Sequence, residues 1–271
     1  MSKKPKKKET TKATKMVDKP TAGTANTMQS ILGKRIRIKH RGHKQAEFTD
    51  LIAEKEIVLA AGPAGTGKSY LSIGKALELI QNKTNKYDKL RILKPAVEAG
   101  ENLGFLPGDL AEKLAPHLES SMDIIDKIVG IMNREKLVEM GIVSVEPLGF
   151  LRGKTLDNTI LVVEEAQNIS PEQMKTLLTR IGENSKYIIS GDLDQSDKYK
   201  KVTETGLYDV FQRHSHMEEI GVFMFDKTDI VRNPLISKLL DNYQSTDKFM
   251  NAPLLPQAPE INEQLLTDED E

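Results

Sequence analysis

Residues 56–80 read EIVLAAGPAGTGKSYLSIGKALELI, and the fold follows from how that stretch divides. Ile57, Val58, Leu59, Ala60 and Ala61 form a short apolar run, the pattern of a strand buried on both faces of a parallel sheet. The run stops at Gly62. Gly62, Pro63, Ala64, Gly65, Thr66, Gly67, Lys68 and Ser69 then match G-x-x-x-x-G-K-[ST] in full. Tyr70, Leu71, Ile73, Ala76, Leu77 and Ile80 recur at helical spacing, which predicts a crossover helix with one apolar face. Strand, glycine-rich loop and helix in that order predict a phosphate-binding loop.

Each residue type in the loop has a physical reason. The glycines permit dihedrals and a close approach that a Cβ forbids, so successive N–H groups point at phosphate oxygens. The start of the helix adds orphan donors and the positive end of its dipole. Lys68 places a cation on the β- and γ-phosphates, and the Ser69 hydroxyl is placed to ligate Mg²⁺. A glycine-rich turn that binds nothing would not need all three parts, so the stretch predicts a nucleoside-triphosphate site.

At 271 residues the chain holds one large α/β domain with tails, or two small domains. It has no cysteine, which removes disulfides and thiolate metal sites and fits a reducing cytoplasm. No apolar run is long enough to span a bilayer, and the lysine-rich start has no apolar segment after it. The expectation is a cytoplasmic protein without a membrane partner. A net charge of -1 conceals an uneven distribution. Residues 1–33 read as a disordered basic tail, either solubilising or binding nucleic acid by phosphate neutralisation, and residues 251–271 as an acidic, disordered one. The domain is expected between them, at 34–250.

Within it, Lys34 to Lys39 alternates charged with apolar residues, like a short edge strand, and a helix is expected from about Gln45 to Glu54. Further strands are expected at 90–93, 142–145, 159–163, 186–190 and 220–225, with helices over 110–139, after Ser170-Pro171, around 204–213 and up to about Tyr243. The fold class is therefore α/β, a mostly parallel sheet flanked by helices. No internal repeat is present.

Thr159 to Val163 is the most strand-like run in the chain, and Glu164 and Glu165 follow it directly. Two glutamates after a strand are ordinarily a solvated end. Downstream of a phosphate loop they read as the second half of an ATPase site, Glu164 holding Mg²⁺ and Glu165 orienting or deprotonating the attacking water. Small-molecule kinases as a rule lack the second glutamate, so Glu165 favours hydrolysis. Gln195, after the Gly191-Asp192 turn, stands where an amide reaches both γ-phosphate and water. Gln45 stands where an amide reads an adenine edge, or is simply a solvated residue at a helix start. The five histidines show no metal-ligand spacing, and there is no clustered carboxylate–histidine set for a nuclease.

Four segments carry a resemblance: GPAGTGKSYL (62–71), KPAVEAGENLGFLPGDL (94–110), VEPLGFLRGKTLDNTILVVEEAQNISPEQMKTLLTRIGENSKYIISGDLDQSD (145–197) and DIVRNPLI (229–236). The chain resembles the PhoH-like family, ATPases similar to the N-terminal motor domain of superfamily 1 helicases, from about Gln45 to Tyr243. The resemblance implies a RecA-like P-loop NTPase fold with ATP and Mg²⁺ as cofactors. It makes Gln45 the adenine reader, Glu164 and Glu165 the metal and water residues, Gln195 the γ-phosphate sensor and Arg232 an arginine finger or sensor. It also implies a homo-oligomer such as a hexamer, helicase-like chemistry and a link to single-stranded RNA or DNA. Lys94, Arg152 and Lys154 are then the candidate nucleic-acid contacts. The chain has length for one motor domain, so Arg232 either reaches a neighbour's site or folds back on its own nucleotide.

Two positions depart from the family's pattern, which usually has Asp at Glu164 and Arg at Lys94. Glu is longer by one carbon–carbon bond, about 1.5 Å, so a metal there shifts or the backbone retreats. Lys94 keeps the charge and loses the bidentate fork. A second reading stays open beside the ATPase: a regulatory or assembly module in which ATP sets conformation and turnover is incidental.

Overall fold

The structure is a computed structural model, and it describes residues 22–84, 86–95, 110–151 and 155–231. These belong to one compact unit that ends at Val231. Six strands make one sheet: β1 (Ile57–Ala61), β2 (Lys89–Lys94), β3 (Val143–Pro147), β4 (Thr159–Val163), β5 (Lys186–Gly191) and β6 (Ile220–Met224). Their order is β3-β2-β4-β5-β1-β6, and every pairing is parallel. Parallel strands need crossovers, and crossover helices bury both faces of the sheet. That is why β4 is buried along its whole length and reads as an unbroken apolar run.

The helices are α1 (Ala22–Leu32), α2 (His43–Glu54), α3 (Lys68–Gln81), α4 (Leu110–Val129), α5 (Ile131–Glu139), α6 (Pro171–Leu178) and α7 (Gly206–His214). One face of the sheet packs Val58, Ile92 and Val162 against Phe48, Leu71, Leu77 and Ile125. The other packs Leu59, Leu161 and Ile189 against Met174, Leu177, Leu207 and Val210. Alternate residues of β4 thus enter opposite cores, as the period of two requires. α6 starts at the capping box of Ser170 with Gln173, which satisfies two orphan N–H groups and fixes where the helix begins. Among the described residues no helix is long and apolar enough to cross a membrane.

Two sequence expectations need correction. Residues 22–32 are not part of a disordered tail; they form α1, with Ala25, Met28 and Leu32 buried in the core. Met28→Ala is expected to lower unfolding free energy by about 2–4 kcal/mol, read by urea denaturation. A change below about 1 kcal/mol would make α1 an appendage instead. The second correction is at residues 34–39, which form no strand. The side chain of Gln81 at the end of α3 takes the bonds a strand partner would take. Its Oε1 accepts from the Ile36 N–H at 2.8 Å, and its Nε2 donates to the Lys34 carbonyl at 2.7 Å. The expected final helix to Tyr243 and the tail 251–271 lie outside the described residues.

Candidate functional site

β1 lies between β5 and β6; the chain leaves β1 toward β2 on one side, while the chain leaving β5 crosses to β6 on the other, so the switch point falls between the C-terminal ends of β1 and β5. The phosphate loop begins there. Gly62, Gly65 and Gly67 take φ of 146°, 90° and 93°, values that only glycine adopts without strain. A Cβ on Gly62 would also stand 2.5 Å from the Phe225 carbonyl oxygen. Lys68 is the first residue of α3, and its ammonium donates to the carbonyls of Gly62 at 2.5 Å and Pro63 at 2.8 Å. Tyr70, two residues further along α3, is partly buried and packs against the core.

The loop is held from behind. Gln45 is 5% exposed; its Oε1 accepts from the Arg41 N–H at 2.8 Å and its Nε2 donates to the Thr66 carbonyl at 2.9 Å. One donor and one acceptor of this amide are therefore committed to the loop and to the turn before α2. The Val231 N–H donates to the Gly65 carbonyl at 3.0 Å, and Arg41 Nη1 donates to the Val231 carbonyl at 3.0 Å. The turn before Val231 is anchored by Lys44, whose ammonium meets Asp226 at 2.5 Å and Asp229 at 3.0 Å. The hydrogen bond from Lys44 holds the Asp226 carboxyl well below the usual carboxylate range. Arg232 follows Val231 in the sequence and, with Arg152 and Lys154, lies outside the described residues.

The two glutamates after β4 part company. Glu164 is 2% exposed; its Oε2 accepts from the Ser121 hydroxyl of α4 and lies 3.5 Å from the Lys94 ammonium. Lys94 also donates to Ser120. The two positions that depart from the family's pattern are thus direct partners, a longer acid meeting a cation without a fork. Glu165 is exposed and takes φ 52°, a left-handed conformation uncommon outside glycine. Its Oε2 accepts from Gln167 Nε2 at 2.7 Å. Gln167, 2% exposed, uses its Oε1 to accept from the Asp192 N–H at 3.0 Å, so it bridges the ends of β4 and β5. Only glycine fits at 191, because a Cβ there would stand 2.4 Å from that Oε1.

A cavity of about 140 Å³ collects these parts. Ala64, Lys68 and Ser69 line it from the loop, Glu165 and Gln167 from the turn after β4, and Ser190, Gly191, Asp192, Gln195 and Asp197 from the end of β5 and beyond. The structure brings Lys68, Ser69, Glu165 and Gln195 to one cavity and leaves Glu164 outside its lining. Gln167 and Asp192 were not singled out by sequence reasoning. The signal for Gln167 was its place two residues after the glutamate pair; for Asp192 it was the Gly-Asp turn noted only as a strand end. Larger cavities lie by Glu56 and Tyr87 at the N-terminal edge of the sheet, about 460 Å³, and between α6 and α7, about 600 Å³. Neither is fronted by a loop of N–H donors.

Fold and site together define a RecA-like P-loop NTPase: an all-parallel sheet, a phosphate loop between its strand and helix, and carboxylates at the ends of neighbouring strands. The model of the PhoH-like protein family matches residues 37–244, and the chain belongs to that family. It is 43% identical over 211 residues to a PhoH-like protein of Bacillus subtilis, covering 78% of this chain and 65% of that one. It is 36% identical over 205 residues to the protein PhoH of Escherichia coli, covering 75% of this chain and 57% of that one. Among solved structures, the HK97 bacteriophage large terminase matches 84% of this chain and 53% of its own at a TM-score of 0.46 and 11% identity.

Proposed function

We propose that this chain is a Mg²⁺-dependent ATPase of the cytoplasm, acting as a homo-oligomer on single-stranded nucleic acid, RNA in the first place. The observation that carries the hydrolytic reading is Glu165: an exposed carboxylate, oriented by Gln167, in the same small cavity as Lys68 and Ser69. Loop N–H groups and Lys68 bind the β- and γ-phosphates, and the exposed oxygen of Glu165 takes the proton of the attacking water. Gln195 lines the same cavity, and its amide orients that water against the γ-phosphate. Adenine reading falls to the second N–H and lone pair of the Gln45 amide. The residues fit a hard divalent cation, since Ser69 offers a hydroxyl and Glu165, Asp192 and Asp197 carry carboxylates in the lining of the cavity. Bound there, Mg²⁺ would neutralise charge on the phosphates.

A regulatory module is the second reading, favoured by the engagement of Glu164 with Lys94 and Ser121. ATP turnover with Mg²⁺, measured with and without single-stranded RNA and DNA, separates the two. Stimulation by RNA supports the ATPase; tight binding with negligible turnover supports the module. The oligomer is tested through Arg232. Mixing Arg232→Ala with Lys68→Ala subunits, each inactive alone, is expected to restore activity if the arginine acts across an interface. No recovery in verified mixed assemblies would place it on its own nucleotide.

A further inference from the structure

We propose that Lys94 is a positioning residue for Glu164: its ammonium, with the Ser121 hydroxyl, fixes one carboxylate oxygen and leaves the other for the divalent cation. The inference deepens the nucleotide-binding reading above and rests on it. β2 and β4 pair in parallel with Leu93 against Val163, and the Glu164 N–H donates to the Leu93 carbonyl at 3.0 Å. Lys94 and Glu164 therefore end neighbouring strands side by side. Leu93 and Val163 enter the core under α6 and α7, so by alternation Lys94 and Glu164 turn to the opposite face. α4 meets them there with two consecutive serines. Ser120 accepts from the Lys94 ammonium, and Ser121 donates to Glu164 Oε2.

Both side chains are turned into the fold, 13% exposed for Lys94 and 3% for Glu164. A buried carboxylate without a cation is costly, and it escapes by taking up a proton or swinging toward water. Lys94, 3.5 Å from Oε2, opposes both escapes. The contacts of Ser121 and Lys94 fall on the same oxygen. Among the described residues Glu164 Oε1 accepts no hydrogen bond, so it is the oxygen left for an ion or a water bound to it. That suits Mg²⁺, which is usually held by one or two carboxylates together with substrate phosphates and water. The lengths of the pair also match. Glu reaches one bond further than Asp, and the Lys ammonium stops one bond short of the terminal nitrogens of Arg. Glu with Lys therefore spans the same total length as Asp with Arg, and the two departures from the family's pattern compensate one another. Changing one partner alone leaves the strand ends where they are, with a pair about 1.5 Å too short or too long.

The test uses the full chain with a non-hydrolysable ATP analogue and Mn²⁺ as the probe, without nucleic acid. Free Mn²⁺ is read by electron paramagnetic resonance, analogue affinity is read separately in EDTA, and thermal unfolding checks each fold. Glu164→Asp and Lys94→Arg are each expected to weaken Mn²⁺ binding to the protein–analogue complex by ~10-fold. The double variant restores the span and is expected to return to within about 3-fold of the unmodified chain. Two harmful changes that cancel mark a direct pair, whereas separate structural losses would add. Lys94→Met keeps the stem and removes the charge. It is expected to lose Mn²⁺ affinity by ~10-fold or more and to bind the analogue in EDTA within a few-fold of the unmodified chain. Should it fail to fold, the charge-conserving variants carry the test. Unchanged Mn²⁺ affinity in the single variants, or losses that add in the double one, overturns the proposal. So does a loss of analogue affinity by Lys94→Met in EDTA, which would place the cation on the phosphates themselves. If the unmodified chain binds no analogue with or without metal, the nucleotide reading fails instead and takes the proposal with it.

Discussion

Lys68→Ala is expected to lose ATP turnover by about 100-fold or more, with the fold intact. The side chain begins α3 at the mouth of the phosphate cavity, and its ammonium rests on the Gly62 and Pro63 carbonyls. A cation already held against the loop needs little reorganisation to meet β- and γ-phosphate oxygens, which is what makes such a charge effective in a transition state. The substitution removes that charge and leaves the buried face of α3, including Leu71, Ile73, Leu77 and Ile80, untouched. Steady-state phosphate release measures the effect, and thermal unfolding of the nucleotide-free variant checks the fold. Turnover within a few-fold of the unmodified chain would remove the central claim about this loop.

How much of this was legible from sequence depends on where the deciding bonds lie. β1, its loop and α3 are local: each residue's environment is set within a few positions, and an unbroken apolar run gives way to a 3.6 period across the loop that begins at Gly62. β4 with Glu164 and Glu165 is legible for the same reason, since burial on both faces forces a continuous apolar run. α1 was missed because only Ala25, Met28 and Leu32 mark its inner face among polar neighbours, and its burial depends on packing against α3 and α5. The segment 34–39 has the alternation of a strand, yet Gln81, far along the chain, takes its hydrogen bonds. The site divides likewise. That two carboxylates end β4 is a sequence fact. That one of them turns to Lys94 and Ser121 while the other meets Gln167 is decided by α4 and β5, which no local pattern encodes.

Glu165→Gln is expected to retain ATP binding within a few-fold and to slow hydrolysis by about 10²–10⁴-fold. The amide matches the carboxylate in size, so the left-handed backbone at 165 and the turn after it need not change. Gln167 is a donor to this position at 2.7 Å, and an amide meets that donor with its carbonyl oxygen. Its NH₂ is then left where the second carboxylate oxygen was, a group that donates to water and cannot take its proton. Binding and chemistry should therefore separate: equilibrium binding of ATP is preserved while single-turnover hydrolysis slows, and product release is not the step affected. Normal single-turnover rates would assign the water to another residue, with Gln195 and Asp197 among the other polar groups lining the cavity. Loss of binding together with loss of turnover would mean that Glu165 acts through the turn it caps, because a residue that only handles water has no reason to change the ground-state affinity for phosphate.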